Sequence, residues 1–340
     1  VLCRRYTNGE NVTTVIYLDQ NVISDLRMRK IQEMNDHKAC QMRDLFKILA
    51  SRDMKVVYSH ITLSEINQIE NPRYKQEHIE VLNLLGAVYI EPVSGIFSPH
   101  CVDVVWKNYL AIMQDNLENG CNDIELVNRK LVQKVHGLDV PETFEEIYIR
   151  IKNELIIIAQ QEQDFLESFD YDKLEVNAQL KYKERMSDLE KLRFKISSSI
   201  PDEIQCSPQV FRELPQMKGL ELKTLPVEDV VKQIESYVYL QNGGAELVNN
   251  FANSKQGLIS RAYSLMNWAG YHADDFQKSA REFGDRLRAS LNDMSHVASA
   301  VCADVILTED KGMLAKAPAC YAYMGKNIKV STVSNFLTDV

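Results

Sequence analysis

Short hydrophobic runs that suit buried strands occur near both ends of the chain. They are VIYL at 15–18, VVY at 56–58 and VIL at 305–307, each with the branched side chains typical of a strand. Between them, apolar residues recur every three or four positions, which predicts helices. A further run, GAVYIEPV, adds a strand that ends before residue 95. The pattern over residues 12–94 therefore predicts strands and helices in the order β-α-β-α-α-β, and such alternation favours a parallel sheet.

The middle of the chain, residues 95–285, has a different pattern, which is long, polar and mainly helical. In 143–168 apolar residues recur at intervals of three or four, and 172–200 carries spaced apolar residues from Leu174 to Leu192. We predict two long helices here, folded into an antiparallel hairpin. We therefore predict a core formed by 1–94 and 286–340, with a helical insertion between these two parts. The insertion is a candidate surface for a protein partner or for a second copy of the chain.

Four acidic residues lie where a predicted strand meets a predicted helix. Asp19 ends the first strand, Glu65 lies early in the helix after the second, and Asp310 follows the last. Asp293 is predicted to open the helix that leads into that last strand. Because parallel strands end at the same edge of a sheet, we expect all four side chains at one edge. Clustered carboxylates repel each other, and a hard divalent cation, Mg²⁺ or Mn²⁺, would relieve that repulsion.

Each of these acids also has a structural alternative. Asp19 could cap the helix that follows it, and Asp293 could favour a helix start through the macrodipole. Asp310 could be a turn residue, and Glu65 could pair with a surface cation. His296, one turn after Asp293, is interpreted as a buried helix position in preference to a catalytic base.

The same residues give the chain a resemblance to PIN-domain nucleases. The resemblance covers about 12–94 and 286–340, and it rests on the order of the pieces. It departs from the usual pattern at Gln20, where Thr or Ser is more common, and at Glu309, where Asn or Asp is common. The matching positions are Asp19 with Asn21, Glu65, Asp293 with Ala298 and Ala300, and Thr308 with Asp310.

The resemblance implies a fold, a cofactor and an activity. The fold would be a three-layer α/β/α sandwich with a central parallel sheet, and the activity would be phosphodiester cleavage, usually of RNA, by metal-activated water. The cofactor would be Mg²⁺ or Mn²⁺, held by Asp19, Glu65, Asp293 and Asp310, with Asn21 and Thr308 orienting the ligands. Bacterial proteins of this kind often act as toxins or in antiviral defence. The alternatives are a structure-specific DNA nuclease and a catalytically silent scaffold that binds a partner.

The charge of the chain limits where RNA could bind. The formal net charge is −9, so a nucleic-acid partner would need a local basic surface. Three clusters could supply it, although a solvated and ion-paired helix face is the alternative for each. The candidate RNA-binding residues are Arg27, Arg29 and Lys30, then Lys181, Lys183, Arg185, Lys191 and Arg193, and finally Arg286 from the cluster with Arg281 and Arg288.

The remaining composition is that of an ordinary folded protein, with 45% hydrophobic and 26% charged residues. The seven cysteines include no CxxC pair, which argues against a zinc site and against a disulfide framework. We therefore expect reduced thiols in a cytoplasmic protein. The sequence contains no apolar run long enough to span a bilayer, so we expect no membrane association.

Overall fold

The computed structural model describes residues 13–51, 53–91, 95–118, 130, 133, 141–198, 208–238, 254–273 and 280–340. Within these residues, five parallel strands form one sheet in the order β3-β2-β1-β4-β5. The predicted α/β class with a central parallel sheet is thus confirmed. The fifth strand was not predicted. The strands are β1 (Thr14–Leu18), β2 (Met54–Tyr58), β3 (Val88–Tyr89), β4 (Val305–Leu307) and β5 (Lys329–Ser331).

The strand register brings the ends of distant segments together. Leu18, the last residue of β1, lies opposite Leu307, the last residue of β4, although nearly the whole chain separates them. Leu307 in turn lies opposite Ser331 of β5. The residues that follow β1 and β4 are therefore neighbours at one edge of the sheet.

Both faces of the sheet are covered. Successive residues of a strand point to opposite faces, yet Ile16, Tyr17 and Leu18 are all fully buried. Burial on both faces is the usual condition of parallel sheets, and it explains why the runs at 15–18, 56–58 and 305–307 are continuously hydrophobic. The helices up to residue 118 are α1 (Gln20–Asp25), α2 (Met28–Glu33), α3 (Asp36–Leu49), α4 (His60–Gln68), α5 (Pro72–Leu84) and α6 (Val102–Glu118).

The chain divides into two compact units, one made of 1–114 with 211–340 and the other of 115–210. In the second unit, α7 (Phe144–Glu167) and α8 (Val176–Ser198) pack against each other as a hairpin. The predicted pair of helices is confirmed. The second unit has fewer residues than the predicted insertion over 95–285. The described helices after residue 211 belong to the unit that contains the sheet.

The remaining helices complete the unit that contains the sheet. Asn71 and Pro72 begin α5 with a side-chain cap and a proline at the first helical position, as sequence rules favour. None of the helices in the described ranges has the length and apolar character needed to cross a membrane. The helices that follow the hairpin are α9 (Pro208–Glu213), α10 (Pro215–Lys218), α11 (Val227–Val238), α12 (Lys255–Ala269), α13 (Ala280–Ser299), α14 (Lys311–Tyr323) and α15 (Val333–Asp339).

Candidate active site

Asp19 lies at the carboxyl end of β1 and is also the cap of α1. Its Oδ1 accepts a hydrogen bond from the backbone N–H of Gln20 at 2.7 Å, and its Oδ2 accepts one from the Thr308 hydroxyl at 2.8 Å. Only 3% of Asp19 is exposed. Burial raises the pKa of Asp19 because it removes water from the carboxylate, although His296 and Thr308 act in the opposite direction. Asp19 therefore has the capping role that the sequence left open to it, and its role as a metal ligand stays a prediction.

Thr308 connects the ends of β1 and β4. Its hydroxyl donates to Asp19 and accepts from the backbone N–H of Asp310 at 3.0 Å. The backbone N–H of Asp19 donates to Leu307 across the two strands at 3.0 Å. Asn21 adds a weaker contact, from its Nδ2 to Asp19 Oδ2 at 3.4 Å. Thr308 and Asn21 thus both contact Asp19, and their predicted role of orienting metal ligands stays a prediction.

His296, on α13, lies between two carboxylates. Its Nε2 is 2.8 Å from Glu65 Oε2 and 3.8 Å from Asp19 Oδ1, and the residue is 1% exposed. Burial alone would lower the pKa of His296, but Tyr17, Glu65 and Asp19 together raise that pKa well above its ordinary value. The two carboxylates therefore favour the imidazolium form of the side chain, which neutralises part of the acidic charge wherever that form is populated. The sequence prediction of a buried helix position was confirmed, but the sequence did not indicate this bond to Glu65.

Glu65, on α4, is held from both sides by α13. Its Oε1 accepts a hydrogen bond from Asn292 Nδ2 at 2.8 Å, while Oε2 faces His296. Asn292 and His296 are four residues apart, which places them on one face of the helix. That spacing was visible in the sequence, but nothing marked Asn292 as a partner of an acid 227 residues earlier in the chain.

Tyr17 of β1 continues the hydrogen bonding of Glu65 and His296 into the sheet. Its hydroxyl lies 2.8 Å from His296 Nδ1 and 2.8 Å from the Ser59 hydroxyl. Ser59 begins α4 through a capping box with Thr62. A carboxylate only accepts, so His296 Nε2 donates to Glu65, whereas Nδ1 accepts from Tyr17 in the neutral ring and donates to it in the imidazolium. These contacts form one continuous hydrogen-bonded network of Glu65, His296, Tyr17 and Ser59.

The two remaining acids are placed differently from each other. Asp310 caps α14, where its Oδ1 accepts from the Met313 backbone N–H at 2.7 Å, and Thr308 connects it to Asp19. Asp293 does not open a helix, so that prediction was wrong. The helix α13 begins at Ala280, and Asp293 lies well inside it. The predicted start relied on the preference of Asp for helix N-termini, but no Pro or Gly stops the helix immediately before it.

One feature of the site favours the binding of a metal ion, and another does not. The donors near Asp19 suit a hard cation in kind, since they are oxygens, and the buried Oε1 of Gln20 has no hydrogen-bond donor. Yet within the described ranges no three His, Cys, Asp or Glu side chains are grouped so that they could hold a metal ion. Asp19 and Glu65 do come together, with His296 between them. Binding of Mg²⁺ or Mn²⁺ stays a prediction.

The basic residues near β1 are engaged with neighbouring acids. Arg27 Nη1 lies 3.1 Å from Glu77 Oε2, and Arg29 Nε lies 3.3 Å from Glu33 Oε1. The ammonium of Lys30 pairs with the carboxylate of Asp25, which also binds Lys38 at 2.7 Å. In this structure the three cations predicted to contact phosphate have the ion-paired surroundings named as their alternative.

Four basic residues of α8, Lys181, Lys183, Arg185 and Lys191, are exposed. Lys183 lies over the Tyr171 ring at 5.3 Å, and Lys191 pairs with Asp188 at 3.1 Å. Arg185 pairs with Glu162, and Arg193 bonds Gln160, both across the hairpin. Lys181 is exposed on the same helix. The side chain of Arg286, which was also predicted to bind RNA, lies outside the described residues.

A pocket of about 390 Å³ opens beside Glu65. It is lined by Gln20, Asn21 and Asn292 and extends to Tyr74 on α5. A ligand could therefore reach the acidic edge of the sheet from this side.

A comparison of the chain with known protein families, curated proteins and solved structures finds no match. The resemblance to PIN-domain nucleases therefore stays a prediction.

Proposed function

We propose that this protein is a metal-dependent endoribonuclease with a PIN-like three-layer α/β/α core. The observation that carries the proposal is the position of Asp19. In the order β3-β2-β1-β4-β5, the chain fills one side of β1 first and the other side with β4 and β5. The switch point therefore lies between β1 and β4, and open α/β sheets bind their ligands at the carboxyl ends of the strands there. Asp19 and Thr308 flank that point.

The chain's own residues have separate roles in this proposal. Asp19 would hold Mg²⁺ or Mn²⁺, and Glu65, Asp310 and Asp293 would be the further acidic groups of the site. Thr308 and Asn21 hold Asp19, while Asn292 and His296 hold Glu65. The cation would supply Lewis acidity towards the phosphodiester and lower the pKa of water. Its binding would also offset the burial that raises the pKa of Asp19.

A second candidate function is a catalytically silent module that binds a partner. The observation that favours it is His296, which lies between Asp19 and Glu65 and supplies a positive charge there in its imidazolium form. A site that is neutralised internally has less need of a cation. DNA cleavage is the third candidate, and the same assay separates it from RNA cleavage.

The test is cleavage of labelled single-stranded RNA, structured RNA and DNA in Mg²⁺, in Mn²⁺ and in EDTA. The wild type is compared with Asp19→Asn and Asp310→Asn, and with Asp229→Asn as a control for an exposed acid of the same unit. The proposal expects metal-dependent RNA cleavage that both site variants lose and the control keeps. A wild type that cleaves nothing supports the silent module, and cleavage that is the same in all variants places the activity elsewhere.

A further inference from the structure

The pocket beside Glu65 has the size of a small-ligand site. Its volume of about 390 Å³ lies within the range of roughly 300–1,000 Å³ that is usual for such pockets. It is bounded by the starts of α1 and α5, by the end of α4 and by Asn292 of α13. The side chains that matter for its chemistry are one tyrosine and four carboxamides.

Tyr74 gives the pocket an aromatic surface. The residue is 38% exposed, and the Arg27 guanidinium lies over its ring at 4.7 Å from the ring centre. Arg27 is fixed by Glu77 at 3.1 Å and by the Ser24 carbonyl at 3.1 Å. The ring is therefore supported by a held guanidinium and still lines open space, which suits the stacking of a flat ligand.

The carboxamides give the pocket both donors and acceptors. Asn21, Gln68 and Asn292 each use one amide hydrogen, on Asp19, Ser64 and Glu65 respectively. Each group has a second N–H and a carbonyl oxygen, so each keeps capacity for a ligand. The buried Oε1 of Gln20 has no donor at all. Mixed donors and acceptors of this kind match the edge of a heterocycle.

The charges of the pocket argue against a phosphate. Its one arginine, Arg27, is paired with Glu77, and its one histidine, His78, is 4% exposed with a pKa that burial lowers. Glu65 is the acid of the pocket, and it already accepts from Asn292 and His296. All the residues that line the pocket are described, and they offer a dianion no uncommitted cation.

We propose that this pocket binds an unstacked nucleobase of a single-stranded RNA substrate, with Tyr74 as the stacking surface and the carboxamides as the partners of the base edge. The proposal rests on the proposed function, which supplies RNA as the substrate. Single-stranded RNA is typically recognised in this way, by bases that stack on aromatic rings and hydrogen-bond through their edges. A base held here would bring the adjoining phosphodiester close to Glu65.

The experiment measures the binding of a labelled single-stranded RNA pentamer in EDTA, which separates binding from metal-dependent cleavage. The variants are Tyr74→Ala and Tyr74→Phe, with Leu84→Ala as the control, an exposed residue at the far end of the same helix. We expect Tyr74→Ala to weaken binding about tenfold and Tyr74→Phe to bind within about twofold of the wild type. An abasic pentamer with the same phosphates should bind the wild type and Tyr74→Ala equally.

Equal affinity of the wild type and Tyr74→Ala for the RNA pentamer would overturn the inference, and so would an abasic pentamer that binds as tightly as RNA. If circular dichroism shows that Tyr74→Ala does not fold, Gln68→Ala replaces it, since Gln68 is exposed. That variant should change the ranking of oligo-A, oligo-C and oligo-U pentamers, because the bases differ in their edge groups, and an unchanged ranking overturns the inference. Binding that depends on Tyr74 without any cleavage in Mg²⁺ would support the pocket and reject the nuclease.

Discussion

The acidic edge of the sheet and the basic helix α8 carry their charges in opposite ways. At the edge, Asp19 and His296 are buried and find their partners hundreds of residues away in the chain. On α8, Lys191 and Arg185 are exposed, and their partners lie on the same helix or on the adjoining α7. A buried charge needs its partners, whereas an exposed pair contributes little because water already solvates it. The edge is therefore fixed by the fold, and the charges on α8 are free to exchange their partners for a ligand.

The largest effect that this comparison predicts is on stability, from His296→Leu. The substitution leaves Asp19 and Glu65 without their shared cation, and breaking a buried pair of this kind costs about 3–5 kcal/mol. Urea unfolding would measure it. His60→Leu is the matched control, because His60 is a partly buried histidine whose pKa burial lowers and whose Nδ1 has no partner. Equal losses in the two variants would show that His296 stabilises only by packing.

The pH dependence of stability sharpens the same comparison. The pKa of His296 is raised in the folded state, so its contribution is complete below the unfolded value of about 6.5 and is lost as pH rises through the folded value. The free energy of unfolding of the wild type, relative to His296→Leu, should therefore fall as pH is raised above neutrality. Urea unfolding at several pH values measures this difference, and a constant difference would contradict the charged state of His296.

Thr308→Val comes next, with its effect on activity. The substitution keeps the shape of the side chain but removes the hydroxyl that donates to Asp19 and accepts from Asp310. If the proposed nuclease activity is established, we expect kcat/KM to fall about 10- to 100-fold, as when other groups that orient metal ligands are removed. Thr308→Ser retains the hydroxyl and should recover most of the rate. A serine variant as slow as the valine variant would indicate that Thr308 acts through packing alone.

Asp25→Asn tests ion pairs whose exposure lies between that of the buried acidic edge and that of the exposed pairs on α8. Burial opposes the ionisation of Asp25, but Lys30 and Lys38 outweigh it and hold its pKa below the ordinary value. At neutral pH the substitution should lower the free energy of unfolding by about 1–2 kcal/mol, less than a fully buried pair because both lysines are partly exposed. A lowered pKa means that this stability is present above about pH 4 and is lost as pH falls further. The two proteins should therefore converge in acid unfolding, and a loss independent of pH would contradict the ion pairs.

The sheet was predictable because burial on both faces leaves a direct mark on the sequence. The runs ending at Leu18, Tyr58 and Leu307 are continuous and hydrophobic, and parallel geometry then placed Asp19 beside the end of β4. The strand Lys329–Ser331 has an exposed lysine at one end and a serine at the other, so its composition carried no such mark. Asn292 and Tyr17 were missed for another reason. Their roles depend on which helix packs on which strand, and a single sequence does not state this.

The smallest expected effect on stability is on α8, where Lys181, Lys183 and Lys191 can be changed together to Gln. All three are exposed, so the free energy of unfolding should change by no more than about 0.5 kcal/mol. If α8 binds RNA phosphates, affinity should nevertheless fall, and the slope of log affinity against log salt should decrease by about 0.7 for each phosphate that a lysine no longer neutralises. The control replaces Lys218, Lys223 and Lys232, which are exposed in the other unit and change the net charge equally. If both triple variants reduce affinity and slope by the same amount, the effect belongs to net charge, and the basic residues of α8 are only a solvated helix face.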